Sequence, residues 1–331
     1  MNTKDIVGIP EARKQFAGNL HSHTVNSDGH LTPEEAVDLY RSNGYSFLCL
    51  SEHDKYTDYS GRFDSDDFII LPGLEASASL FDEKDPRYRF KTHHMQGILG
   101  TREMQKAAKK HFAHMDVLEP INRYGSWDGA AVAQQLCDEL RARGCIVFYN
   151  HPLWSRVEGY EFEHIRGLTA LEIFNYGTVE ESGTGLDTTY WDRMLRRGID
   201  IYGYASDDNH NASDLPDSCG GRVLVISDEL EHDAIIRALM SGSFYSTSGP
   251  EIYAFGVSGD LVYVRSSSCE RVNFICGGHI NAGGTVIARN ASGKKSLREA
   301  AFRLRGDETY VRAECVDEYG RTAWTNAIFL R

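Results

Sequence analysis

Residues 18–29 read GNLHSHTVNSDG, with His21 and His23 one residue apart and Asp28 five residues further on. On an extended strand successive side chains alternate between faces, so both imidazoles point the same way. Two parallel imidazoles can grip one metal ion, or they can sit inert on a wet face. The surrounding sequence decides between these. FLCLSEHD (47–54) places His53 just after an apolar run, and FIILPGLEAS (68–77) does the same with Glu75. KTHHMQGIL (91–99) carries His93 and His94, IVFYNHP (146–152) ends in His151, and IYGYASDDNH (201–210) ends in Asp207, Asp208 and His210.

Helix-like segments lie between these runs. TPEEAVDLYRSNG (32–44) has Thr32 as cap, Pro33 in the first turn, Glu35 completing a capping box and Gly44 as terminator. WDGAAVAQQLCDELRARG (127–144) carries an apolar stripe through Ala130, Ala133, Leu136, Cys137 and Leu140. DTTYWDRMLRRG (187–198) and EHDAIIRALMSG (231–242) are helices too, with TALEIFN (169–175) and RVLVIS (222–227) as strands. Strand and helix alternating over some 245 residues predict an α/β protein with a parallel sheet, open or closed into a barrel. Beyond SFYSTSGPEI (243–252) the rhythm changes to short alternating runs broken by Gly, Asn, Asp and Ser, with one turn expected near Lys294–Glu299. Residues 1–248 therefore form the first domain, and residues 249–331 a small antiparallel β-sandwich, with the boundary at Gly249 and Pro250. That β domain is expected to pack on the first domain or to help a homo-oligomer form, rather than to lend SFYSTSGPEI as a cover for the site.

In parallel strand-and-helix architectures ligands bind beyond the carboxyl ends of the strands. Six strands thus deliver nitrogen or oxygen ligands to one rim. An isolated histidine is an ordinary surface or core residue, and His111, His114, His164, His232 and His279, which fit no such pattern, keep that reading. The same explanation would have to hold independently at six like places. Imidazoles mixed with carboxylates suit zinc, iron or manganese, whereas calcium and magnesium want nearly all oxygen. The eight or nine groups exceed what one ion takes and suit two or three, with Glu75 able to bridge through its two oxygens.

The net charge of −13 in 331 residues argues against a nucleic-acid backbone as partner, although metal ions would still draw a small anionic substrate. Seven scattered cysteines, with no Cys-x-x-Cys pair, read as reduced residues of a cytoplasmic protein. No run approaches the roughly 18 apolar residues that a membrane span needs.

Taken in order, these residues resemble the PHP (polymerase and histidinol phosphatase) superfamily of metal-dependent phosphoesterases. The His-x-His motif matches His21 and His23, and Asp28 stands where some members carry histidine. SEH, ending in His53, matches a motif usually written Thr-Asp-His, which puts Glu52 behind the ligands rather than among them. Glu75, then His94, then His151, then Asp208 and His210 of DNH follow in the family's order; the tail resembles the β domain of one branch. The resemblance implies a distorted (β/α)7 TIM-like barrel. It also implies up to three metals: one on His21, His23, Glu75 and Asp208, one on Glu75, His94 and His151, one on Asp28, His53 and His210.

The expected reaction is attack on a phosphoester by a hydroxide bridging two metals, with Glu75, Asp208 and His210 as catalytic residues. Lys55 and Arg156 are candidate substrate-binding cations, each following a ligand closely, and Tyr56 and Trp154 either line a pocket or pack loops. Two alternatives stand beside this. The same metals could serve a carbamate, amide or ester hydrolase, or they could be structural in a regulatory module.

Overall fold

The computed structural model describes residues 5–212, 215–289 and 296–330. The four helices expected from capping and periodicity form as Pro33–Ser42, Gly129–Ala142, Thr188–Arg196 and His232–Met240. In the first, the Thr32 hydroxyl accepts from the Glu35 amide while the Glu35 carboxylate takes the Thr32 amide, so the capping box closes as written in the sequence. Gly44 ends it in the left-handed region at φ +80°. In the second the buried face runs through Val132, Ala133, Leu136, Cys137 and Leu140; Ala130 is exposed, one position off the expected stripe.

Three sheets organise the strands. One runs in the spatial order Tyr202–Ser206, Leu168–Asn175, Cys145–Tyr149, Arg89–Leu99, Gly73–Phe81, Ile121–Tyr124. A second begins with Ile69–Ile70, Phe47–Leu48, Gln15–Asn19, Arg222–Ile226 and Phe244–Thr247, then continues into Thr322–Thr325, Tyr310–Val316, Arg271–Cys276 and Gly284–Ile287. The third joins Ile6–Ile9, Ile252–Ser258, Leu261–Cys269 and Leu297–Arg303. Isolated bridges, Ser22 to Asn209 and His53 to Glu75, link the first two sheets at the site end. The ladders are therefore two mixed sheets meeting at bridges, not one continuous parallel cylinder.

Two expectations need correction. The strand Arg89–Leu99 is antiparallel to both of its neighbours, because only the short polar turn 82–88 joins it to Gly73–Phe81 and no crossover helix is available. The boundary at 248/249 does not coincide with a break in hydrogen bonding. Tyr245 and Ser246 pair with Thr325 and Trp324, so the sheet runs on into the tail, while the N-terminal strand Ile6–Ile9 pairs with Ile252–Ser258. The tail is nonetheless a two-sheet antiparallel sandwich. Phe255, Val257, Val262 and Val264 from one sheet share a core with Val272, Phe274, Val311 and Ala313 from the other. It packs directly on the first region, where Arg312 lies over the Trp191 ring at 4.6 Å and Tyr310 and Trp324 enter the larger core. SFYSTSGPEI supplies the strand Phe244–Thr247 inside this shared sheet and does not line the cavity at the site. Of the turn expected near Lys294–Glu299, Lys294 and Lys295 lie outside the described residues, and Leu297 to Glu299 belong to a strand. No described helix is long and apolar enough to cross a membrane, and the seven cysteines are free.

Candidate metal centre

At the carboxyl ends of the strands the backbone is fastened before any side chain is considered. The Asp208 amide donates to the His21 carbonyl at 2.9 Å and the His23 amide to the Asn209 carbonyl at 3.1 Å, zipping two strand ends together. His151 and Asp208 sit in the left-handed region, at φ +23° and +51°, which costs non-glycine residues strain and marks a geometry imposed by the surroundings. The Glu172 carboxylate takes the His151 amide at 2.9 Å, and the Gly177 amide donates to the Asp207 carbonyl at 2.7 Å. A Cβ at Gly177 would lie 2.8 Å from both the Asp207 and Asp208 carbonyl oxygens, neither of which can swing away. Gly177→Ala is therefore expected to displace Asp208, destabilising the fold by about 1–3 kcal/mol and weakening metal binding; titrating metal into the folded variant, alongside a thermal melt, checks both.

The side chains then converge on Glu75, which is fully buried. Its Oε1 lies 3.1 Å from His21 Nε2, 3.1 Å from His94 Nδ1 and 3.2 Å from His151 Nε2. Its Oε2 lies 2.9 Å from His53 Nδ1 and 3.5 Å from His23 Nε2. Asp208 Oδ1 stands 3.0 Å from both His21 Nε2 and His23 Nε2. Ligand atoms fall into four groups, each lying within 4.8 Å: His21, His23, Glu75 and Asp208; His53, Glu75 and His94; His23, Asp28, His53 and His210; and His21, His151 and Glu172. The nine residues expected as ligands lie in one cluster, but the sets differ from those expected: His53, not His151, joins Glu75 and His94 while also sharing a group with Asp28, and His151 falls with His21 and Glu172. The inner groups are buried, whereas the Asp28 side chain is 53% exposed, so the third group faces solvent.

The electrostatics follow from crowding. Burial would raise the carboxyl pKa of Glu75, but the neighbouring His94 and His21 charges hold it well below the usual range. Burial drives His23 down to about 3, with help from the His53 charge, and His94 down to about 4. Burial also opposes protonation of His210, but the Asp28 hydrogen bond and the Asp208 charge outweigh it and carry His210 up to about 9. A raised imidazole pKa stabilises the metal-free fold below the unfolded value near 6.5 and loses that contribution as pH climbs through about 9. Metal binding, which needs the neutral ring, runs the other way: affinity is expected to rise across that window, with net proton release. Calorimetric titrations in buffers of differing ionisation enthalpy count the protons.

Strand alternation separates His93 from His94. His93 turns outward, bonding to the Tyr149 hydroxyl and stacking on Trp127 at 4.7 Å, while His94 faces Glu75. Asp207 is spent on structure, accepting the Cys219, Gly220 and Gly221 amides and the Tyr40 hydroxyl. Glu52 takes the Thr24 amide at 3.1 Å and the Ser27 hydroxyl at 2.6 Å, tying down the loop that carries Asp28. Of the five histidines set aside as ordinary, none enters a close ligand group among the described residues.

The substrate-binding expectation needs correction. Lys55 and Arg156 do not line the cavity of about 550 Å³ above the cluster. The Lys55 ammonium is taken up by the Asn26 carbonyl, and Arg156 is exposed, with its backbone in the left-handed region at φ +60°. Tyr56 is buried against Phe112, so it packs loops, whereas Trp154 lines the cavity. The arginine that does line it is Arg89, which nothing local in the sequence distinguishes. Glu172 was also missed. Fully buried, it accepts from His21 Nδ1 at 3.0 Å, the His151 amide, Asn175 Nδ2 and the Ser206 hydroxyl. A single acid inside the apolar strand TALEIFN was the available signal.

The residues fit metal ions on an observation independent of motif. His21 Nε2, His23 Nε2, Glu75 Oε2, His94 Nδ1 and Asp208 Oδ1 are buried and make no hydrogen bond of proper geometry, although each lies within 3.5 Å of a Glu75 or Asp208 oxygen or of a histidine nitrogen in the cluster. Five such atoms in one spot would be costly unless a cation satisfies their lone pairs.

No protein-family model matches the chain, and no curated protein does. Among the solved structures it is similar to are two described as metal-dependent phosphoesterases and one described as an amidohydrolase. One is a two-domain protein containing a predicted PHP-like metal-dependent phosphoesterase from Bacteroides vulgatus, at 12% identity over 97% of this chain and 98% of that one, TM-score 0.47. Another, from Bifidobacterium adolescentis and assigned as a metal-dependent phosphoesterase, matches 70% of this chain and 97% of its own at 14% identity, TM-score 0.40. A third is an amidohydrolase from Chromobacterium violaceum with bound sulfate and no metal, at 16% identity over 60% and 89%, TM-score 0.39.

Proposed function

We propose that this chain is a metal-dependent phosphoesterase acting on a small phosphorylated compound, with two or three divalent ions of zinc, iron or manganese held on a distorted (β/α)7 TIM-like barrel. The observation that carries it is the convergence of five imidazoles on the two oxygens of buried Glu75. Three carboxylates, Asp28, Glu75 and Asp208, lie in the three cavity-side groups. Two or three dications held there would set concentrated positive charge against the cavity, a local field that draws a phosphoryl oxygen even though Asp54, Glu181 and Asp217 also line the wall. When bound, such ions supply Lewis acidity toward a phosphoryl oxygen and make water nucleophilic at neutral pH.

The chain's own part is to place and protect. Glu75 offers one oxygen to each side of the cluster, and Asp208 spans His21 and His23 from the opposite side. The buried floor excludes water from beneath, and the exposed Asp28 group leaves approach from the cavity. His210, at the mouth with Nε2 3.4 Å from Asp28, either completes the outer group or carries a proton to the departing oxygen.

The test pairs metal analysis with turnover. Metal-reconstituted protein should hold two or three ions per chain and cleave p-nitrophenyl phosphate. Cleavage of p-nitrophenyl acetate or a naphthyl carbamate without cleavage of the phosphate would transfer the site to carbonyl chemistry. Absence of bound metal after reconstitution would remove both readings.

A further inference from the structure

From the hairpin wall of the cavity we infer that Arg89 and Trp154 form a subsite for a second anionic group on the substrate, set apart from the bond that is cut; this rests on the phosphoesterase reading. The strand Arg89–Leu99 pairs with Gly73–Phe81 in strict register from Gly73 to Leu80, with His94 opposite Ser77 and Lys91 opposite Leu80. Then the register slips. Phe81 pairs with Arg89, leaving Phe90 as the extra residue of a bulge. His93 and Lys91 face outward, to Trp127 and to Glu161 at 2.8 Å, and simple alternation would send Arg89 the same way. The bulge reverses the alternation and turns Arg89 to the cavity side, which is how bulges beside active sites re-aim a side chain.

Its position sets the distance of the subsite. The Trp154 ring lies 5.0 Å from that of His151 and 6.0 Å from that of His94, so the indole stands directly on the metal floor. The Arg89 guanidinium lies over that indole, 5.8 Å from the ring centre. Arg89 is thus one ring's width above the ligands, too far out to hold the phosphoryl group undergoing attack and well placed for a charge on the leaving portion. Trp154 is anchored by its Nε1 donating to Glu181 at 2.9 Å.

The wall's other charged groups outside the ligand set are carboxylates held by hydrogen bonds, Glu181 by Trp154 Nε1 among them. Asp54 accepts from the Ser77 amide and hydroxyl, both at 2.7 Å, and Asp217 accepts from the His210 and Asn211 amides. Arg89 forms no ion pair among the described residues. A guanidinium on an aromatic face, with its fork uncommitted, recognises a carboxylate or phosphate bidentately.

The experiment uses non-hydrolysable ligands and the metal-reconstituted full chain. Binding of 4-carboxyphenylphosphonate is compared with that of its neutral isostere, 4-carbamoylphenylphosphonate, by calorimetry. The wild type should prefer the carboxylate by about tenfold, the size of one charge-assisted pair. Arg89→Met should bring the two affinities to within about twofold, and Arg89→Lys should keep part of the preference. No preference in the wild type, or a preference that survives Arg89→Met, overturns the subsite. Turnover of phenyl phosphate by the wild type reports separately on the phosphoesterase reading: catalysis without the preference removes the subsite alone, and the preference without catalysis removes that reading alone.

Discussion

Glu75→Gln is expected to lower turnover by on the order of 10³-fold or more and to strip two ions rather than one. The amide keeps the volume of the carboxylate, and Asn150 Nδ2, which donates to Oε1 at 2.6 Å, still holds one end in place. What changes is charge and direction. His21, His94 and His151 look to Oε1, and His23 and His53 look to Oε2. A glutamine presents one oxygen and one NH2, so the side that receives the NH2 meets a donor where a cation needs a lone pair. Two of the three inner ligand groups contain Glu75, so both lose a member at once. Metal stoichiometry by mass spectrometry, alongside phosphatase rates, gives the answer: if a single ion departs and the other stays tightly held, Glu75 does not bridge.

Glu172→Gln is expected to weaken metal binding by about 10–100-fold while leaving the chain folded. Glu172 groups with His21 and His151 beneath the cavity and does not line it. It takes the Nδ1 proton of His21 at 3.0 Å, which leaves Nε2, 3.0 Å from Asp208 Oδ1, with its lone pair outward. It also fixes the His151 amide, and Asn175 joins it to Asp208, donating to Glu172 Oε2 and to Asp208 Oδ2 at 3.0 Å each. One buried acid therefore orients ligands from three separate strand ends. Glutamine can serve only one of the two sides. If its NH2 faces His21, that ring must carry its proton on Nε2 and cannot ligate. A purely structural role would lower the melting temperature without moving the metal affinity of the folded protein, so the affinity is the reading that decides. Affinity equal to that of the wild type would sink the positioning role.

Much of the site was legible because its grammar is local. His-x-His on a strand end, an acid or histidine after each apolar run, and the capping box of Thr32 and Glu35 depend on residues a few positions apart, and the two periods of side-chain direction follow from backbone geometry alone. The assignment of β-rich character to the tail rested on the same footing, and its shared two-sheet core agrees with it.

What stayed hidden depends on partners far along the chain. Whether His93 or His94 looks inward is a matter of which face of Arg89–Leu99 is packed against Trp127, and a one-residue slip would exchange them. Glu172 reads as one acid in a buried strand until His21, 151 positions away, is laid beside it. Arg89 differs from Lys91 only through a bulge that pairing with Gly73–Phe81 creates.

The sequence by itself determined which chemistry the chain can gather: nitrogen and carboxylate ligands at the ends of six apolar runs, borne by an α/β region with a β tail. Only the tertiary structure decided that those ends meet around Glu75, that the sheet passes unbroken from Phe244–Thr247 into Thr322–Thr325, and that Arg89 rather than Lys55 or Arg156 overlooks the cavity. The physical reason is that composition and periodicity are properties of neighbours along the chain, whereas register, strand pairing and the aim of a buried side chain are set by whichever distant strand supplies the hydrogen bonds.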